Sequence, residues 1–201
     1  MNHFLALHAP LILASASPRR KKLLEQLGVD FRVIVSAFDE EAVPTHIPPP
    51  EYVQTLAKSK ALHVAETLGE SAIVIGADTT VVLHGYILNK PHDAADAVRM
   101  LSMLSNRTHE VFTGIALVEC APDGSIVNTI TDVSRTEVRF RQLSTEEIRG
   151  YVAGGSPLDK AGSYGIQDDF GAVFVEGIHG CYNNVVGLPL ALLYRRLQEF
   201  C

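Results

Sequence analysis

Tryptophan is absent from the 201 residues, cysteine occurs three times, and no apolar run approaches the length of a membrane span. The longest apolar stretches break at His, Gly or Asp within about ten residues, whereas a spanning helix needs ~18, so a soluble protein with no membrane partner is expected. Cys120, Cys181 and Cys201 are an odd set without metal-ligand spacing, as in a reducing compartment, which makes the cytoplasm the expected location. Excess positive charge is also missing. Seventeen Lys plus Arg against 23 Asp plus Glu leave a net charge of -6, which argues against a nucleic-acid partner. The chain has no Gly-x-x-x-x-Gly-Lys-Ser/Thr, Gly-x-Gly-x-x-Gly, His-Glu-x-x-His or Gly-x-Ser-x-Gly, so four familiar enzyme classes lose ground. The segment Met1 to Ala16 ends in the leader-like Ala14-Ser15-Ala16 but lacks a basic start and is interrupted by His8 and Pro10. It reads as a ragged start followed by a strand.

What remains is ordinary globular usage, 47% hydrophobic and 20% charged. A chain of this length buries roughly 70% of its unfolded surface without staples, and one α/β domain over 1–201 is expected. Leu11 to Ala14 reads as a buried strand that stops at Ser-Ala-Ser-Pro. Ser17 then caps a helix with Pro18 at its first position and Gly28 as its stop. Phe31 to Val35 is a second strand, and Phe38 to Pro50 is an acidic, proline-rich loop. Tyr52, Val53, Leu56, Ala57, Ala61, Val64 and Leu68 recur at helical spacing over Glu51 to Leu68. Ala72 to Ile75 is a strand, and Thr79 to Leu83 forms a hairpin with Tyr86 to Leu88 across His84-Gly85. Asp93 caps a helix to Leu104. The strands His109 to Cys120 and Ser125 to Phe140 flank the turn Pro122-Asp123-Gly124. Ser144 and Glu147 form a capping box, Ala172 to Val175 is a strand, and Pro189 to Phe200 is a closing helix. Helix-linked strands first and hairpins later predict a mixed sheet with helices packed around it.

Four clusters carry chemistry. At Ser15-Ala16-Ser17-Pro18-Arg19-Arg20, orphan N–H groups, hydroxyls and two guanidiniums meet at a helix start, which suits a phosphate; a capped helix with a solvated basic face explains the same residues. Gly76-Ala77-Asp78-Thr79 places a carboxylate at the end of an apolar strand, where it can take a proton, hold a cation or merely cap a turn. Asp39-Glu40-Glu41 offers hard oxygen donors or a solvated acidic loop, while Lys60 and Lys90, each alone, read as surface cations. Asp159 to Gln167 mixes glycines, hydroxyls and the Gln167 amide, which can read a base edge or simply face water. His179, Cys181 and Asn183 alternate on what reads as one strand face, a weak thiol-hydrolase pattern better explained by a small buried cysteine.

Taken in order, Ser15-x-Ser17-Pro18-Arg19-Arg20, Gly76-Ala77-Asp78-Thr79, Asn89-Lys90-Pro91 and Asp159-Lys160-Ala161-Gly162-x-Tyr164-Gly165-Ile166-Gln167 resemble the Maf family of nucleoside triphosphate pyrophosphatases. Val186-Gly187-Leu188-Pro189-Leu190 looks like that family's closing helix entry. The resemblance implies an elongated α/β fold, akin to inosine triphosphatases, with a mixed sheet and a central cleft between two lobes, often as a homodimer. It implies cleavage of a nucleoside triphosphate between its α and β phosphates with a divalent metal, Mg²⁺ or Mn²⁺. The Tyr164 and Gln167 form of the last motif looks like the branch acting on dTTP and UTP. By motif, Asp78 is the proton acceptor, Arg19, Thr79 and Gln167 match positions of substrate choice, and Ser17, Arg20, Glu40, Lys60 and Lys90 match further pocket positions. Glu40 and Asp78 are the implied metal ligands. Asp168-Asp169-Phe170 departs from the small residues expected after Gln167, which bears on the branch. A 7-methyl-GTP-type pyrophosphatase and a nucleotide-binding, division-linked protein with little turnover are the alternatives.

Overall fold

A computed structural model describes residues 5–167 and 170–201, apart from the side chain of Ser156. Met1 at the chain start and the acids Asp168 and Asp169 lie outside the described residues. The elements are β1 (Leu11–Leu13), α1 (Pro18–Glu25), β2 (Phe31–Val33), α2 (Pro49–Ala65), β3 (Ala72–Leu83), β4 (Tyr86–Leu88), α3 (Ala94–Leu104), β5 (Thr108–Cys120), β6 (Ile126–Phe140), α4 (Thr145–Ala153), β7 (Val175–His179), α5 (Tyr182–Val186) and α6 (Leu190–Leu197). The strands form a seven-stranded sheet in the order β2-β1-β3-β5-β6-β7, with β4 paired to β3. Strand β1 runs parallel to β2 and β3, while β3 with β4 and β6 with β7 are antiparallel, so the sheet is mixed as expected.

The chain divides into two units. The first comprises Met1–Asp78, Thr113–Ser134 and Gly187–Cys201; the second comprises Thr79–Phe112 and Arg135–Val186. In the first, Ile12, Ala57, Ala61, Val64, Val74, Ala116 and Val118 pack in one buried cluster, so the small residues of α2 lie against the strands. Two glycines permit this. A Cβ on Gly76 would sit 2.0 Å from the Ala57 carbonyl oxygen, and one on Gly114 would sit 2.4 Å from that of Val53. Neither strand position tolerates a side chain while α2 rests there. The second unit has its own core, in which Val81, Leu83, Leu101, Leu104, Val138 and Phe140 join Tyr151, Tyr164 and Phe174.

Several local readings hold. Ser17 accepts from the Arg20 N–H at the start of α1, Asp93 from Asp96, and the Ser144–Glu147 capping box is complete. His84 and Gly85, with φ of 51° and 82°, make the β3–β4 turn. Others need correction. Strand β3 does not end before Asp78; it runs on to Leu83, because the glycine in Gly76-Ala77-Asp78 serves helix packing and not a turn. Phe170–Phe174 is a 3₁₀ turn, and the strand begins only at Val175, since Phe174 turns inward against Phe140 and Tyr151. Of the three alternating residues, only His179 lies on a strand. Gly180 at φ 134° ends β7 and Asn183 lies in α5, so the strand-face arrangement of a thiol hydrolase is not formed. Cys181 is partly exposed, and the buried cysteine is Cys120. No helix among the described residues is long and apolar enough to cross a membrane.

Candidate active site

The short β1 strand delivers the chain to Ser15, and Pro18, already fixed near helical φ, starts α1 two residues after Ala16. This geometry folds Arg20 back on its own loop. The Ser15 hydroxyl accepts from the Ser17 N–H at 3.2 Å and from Arg20 Nη1 at 3.3 Å, while Arg20 Nε donates to the Gly187 carbonyl at 2.9 Å. These two bonds fix the guanidinium at Ser15 and at Gly187. Burial lowers the Arg20 pKa; the carboxylates of Asp78 and Glu40 act against that shift, and the neighbouring Arg19 charge adds to it. These couplings set both arginines and both carboxylates in one electrostatic field.

Asp78 lies on β3 just beyond the carboxyl end of its parallel neighbour. The β1 pairing stops at Leu13 opposite Ile75, and the β4 pairing starts at Val81. Although it is within a strand, Asp78 therefore keeps the position in which α/β sheets collect ligands. It is buried, 7% exposed. Lys60 reaches it from α2, with Nζ 2.6 Å from Asp78 Oδ1 and 2.8 Å from Glu40 Oε1. Contrary to its reading as a surface cation, Lys60 is only 8% exposed. Burial raises the Asp78 pKa above its ordinary 3.8, and the cations of Lys60 and Arg20 restrain that rise.

The acidic loop contributes one carboxylate to this cluster. Asp39 caps the 3₁₀ turn Glu40–Ala42 by accepting from the Glu41 N–H at 3.0 Å, which leaves Glu40 turned to Lys60. No group of three or more His, Cys, Asp or Glu side chains suited to a metal occurs among the described residues. The donor set is nevertheless right for a hard cation. Glu40 and Asp78 already converge on one positive charge, and Mg²⁺ is held by one or two carboxylates together with substrate phosphates.

The remaining motif residues belong to the second unit. Thr79 follows Asp78 on β3 and is partly buried, Lys90 is exposed and Gln167 is half-buried. Asn89 ties two motifs together there: its side-chain carbonyl accepts from Thr80 at 2.9 Å, and its backbone carbonyl accepts from the Gly162 N–H at 3.2 Å. In the sequence Asn89, Ser15 and Gly76 stand out only as motif members, without these roles. For Lys60 a signal was present, since it stands in register with Leu56, Ala57, Ala61 and Val64 on the apolar face of α2.

Two guanidiniums at a helix start thus lie in the field of a lysine-bridged pair of carboxylates, Asp78 on a strand and Glu40 in the turn before α2, in a protein of the α/β class with a mixed sheet. A family profile described as Maf-like protein matches residues 10–200, and the chain belongs to the Maf family. It is 53% identical over 189 residues to a dTTP/UTP pyrophosphatase of Bacillus cytotoxicus, covering 94% of each chain. It is 50% identical over 198 residues to one of Salinibacter ruber, covering 98% of this chain and 94% of that one. A third relative, the dTTP/UTP pyrophosphatase of Clostridium perfringens, is 46% identical over 190 residues, 94% of this chain and 96% of its own. Among solved structures, a HAM1 protein from Coxiella burnetii superposes with a TM-score of 0.50 at 16% identity, covering 95% of this chain and 99% of that one, a likeness of fold alone.

Proposed function

We propose that this chain is a single-domain nucleoside triphosphate pyrophosphatase that hydrolyses dTTP and UTP to the monophosphate and pyrophosphate. Membership of the Maf family and relatives at about half identity, all bearing the name dTTP/UTP pyrophosphatase, support the reaction and the substrates. The observation that carries the chemistry is the Lys60 ammonium held between Asp78 and Glu40, with Arg20 in the same field.

In this reading Arg19, Arg20 and Lys60 offset the triphosphate charge in the first unit, and the Ser17 cap offers its turn of N–H groups to phosphate oxygens. Asp78 accepts the proton of the attacking water. Its raised pKa suits that role, because a base works best when its pKa approaches the operating pH. As water attacks the α-phosphorus, the bond to the bridging oxygen breaks and pyrophosphate leaves, its growing charge met by cations already in place. Glu40 and Asp78 are the residues that would hold Mg²⁺ or Mn²⁺, which would neutralise phosphate oxygens and polarise the phosphorus. Arg19, Thr79 and Gln167 bear on substrate choice, and Lys90 is a further pocket cation. The substrate is a free nucleotide, and the protein acts in the cytoplasm.

Purified protein incubated with dTTP, UTP and a methylated GTP, plus Mg²⁺ or Mn²⁺, tests the reading. Pyrophosphate release from dTTP and UTP is expected, and Asp78→Asn lowers kcat by about 10²–10⁴-fold while nucleotide binding persists. Release of inorganic phosphate instead refutes α–β cleavage, and full turnover by Asp78→Asn refutes the assigned base.

A further inference from the structure

We propose that His109 is a positioning residue for substrate choice, acting through a hydrogen bond that anchors Tyr164 and so fixes the segment 161–167 that ends in Gln167. The proposal rests on the reading of Gln167 as a residue of substrate choice. His109 lies near the start of β5, 1% exposed, and Tyr164 is 5% exposed. The His109 Nε2 and the Tyr164 hydroxyl are 2.9 Å apart. With Phe140 the two rings form a triad of edge-on contacts: centroids are 4.9 Å apart for His109–Phe140, 5.5 Å for His109–Tyr164 and 4.7 Å for Phe140–Tyr164.

Packing alone does not call for a histidine here. The Nδ1 atom is buried with no hydrogen-bond partner, and a phenylalanine would fill similar space without that cost. What the imidazole adds is one directed bond, and that bond goes to Tyr164. Burial lowers the His109 pKa to about 3 and raises that of Tyr164, so both stay neutral and the bond persists across the working range of pH.

The segment needs such an anchor because its backbone is strained. Gly162 and Ser163 both adopt a φ of 65°, and Ser163 is not a glycine. Side chains in that region persist only where surroundings hold them. Gly162 is pressed against Val81 and donates to Asn89, and the Ser163 hydroxyl lies 3.3 Å from Met100 Sδ. Tyr164 then returns to extended backbone, at φ -147° and ψ 159°, and its ring, with Ile166 packed against the same core, holds the approach to Gln167.

The test uses the full-length chain with His109→Phe, which keeps a ring and deletes the bond, Tyr164→Phe, which deletes it from the other side, and their double variant. His109→Gln, which retains an amide able to bond, is the conservative control. Hydrogen exchange of the 161–167 amides and the kcat/KM ratio of dTTP to a methylated GTP are measured. Each single Phe variant is expected to lower both protection and the ratio by about 3–10-fold. The double variant should lose no more than either single, and His109→Gln should recover part of the loss. Unchanged protection at 161–167 alongside a lower melting temperature, or additive losses in the double variant, overturns the proposal. If the parent hydrolyses neither dTTP nor UTP, the functional reading fails, and the exchange result alone then decides whether His109 positions the segment.

Discussion

Replacing Lys60 by Met takes away the cation that touches both Asp78 at 2.6 Å and Glu40 at 2.8 Å. The two carboxylates are not equal losers. Glu40's side chain is 46% exposed, and water takes over its solvation, whereas Asp78 is left in a buried site. Stranding one partner of a buried pair costs about 3–5 kcal/mol, which in a chain of this size is a fall in Tm of roughly 6–20 °C. The pH dependence identifies the cause. The folded-state pKa of Asp78 already lies above its ordinary 3.8, so its ionisation weakens the fold as pH rises past that value, and losing Lys60 raises it further. The stability deficit of Lys60→Met is therefore smallest in acid, where Asp78 carries its proton in both states, and widens toward neutral pH. Thermal unfolding over a pH series reads this, and the acid limb of kcat/KM moves upward in the variant. The double variant Lys60→Met/Asp78→Asn removes both charges of the buried pair and should melt higher than Lys60→Met near neutral pH. A deficit that is flat with pH, or a double variant as unstable as the two single losses summed, refutes the reasoning.

Gly76→Ala should destabilise by about 1–3 kcal/mol, because its Cβ falls 2.0 Å from a backbone oxygen of Ala57 that cannot rotate away. It should also depress kcat/KM by displacing Lys60 on α2; an unaltered Tm and kcat/KM would contradict the packing described for that helix. Glu147, paired with Arg141 at 2.7 Å and bonded to the Ser144 N–H, has its pKa lowered to about 2 from an ordinary 4.5. Its contribution is complete above 4.5 and is lost as pH falls toward 2, so the Tm deficit of Glu147→Ala should close over that interval. His8 presents Nδ1 to the Phe200 carbonyl at 2.6 Å and Nε2 to Glu119 at 2.7 Å, two acceptors that only an imidazolium satisfies together. Its pKa is raised from 6.5, chiefly by the Glu119 bond, so its contribution is present below 6.5 and is lost as pH rises through the raised value. The Tm deficit of His8→Ala is accordingly largest in mild acid, and a deficit that grows toward alkaline pH would reverse the assignment.

Local chemistry was legible without a structure. Ser17, Asp93 and Ser144 cap helices because a side-chain oxygen within three residues meets an orphan N–H, and His84-Gly85 turns because both residues take positive φ. The four motifs, and with them the family, were legible for the same reason: their residues stand close together in the chain. Contacts between distant segments were not. Gly76 reads as a strand break until α2 is laid over it, and Phe174 reads as strand until Phe140 and Tyr151 draw its ring inward. Lys60 lies eighteen residues from Asp78, and nothing in its own neighbourhood specifies that its ammonium is buried there. The sequence by itself determined the caps, the turns, the order of the motifs and the membership of the family, because those depend on neighbours along the chain. Only the tertiary structure decided that β3 runs through Asp78, that Lys60 bridges two carboxylates and that His109 meets Tyr164, because burial and pairing are properties of the packed whole.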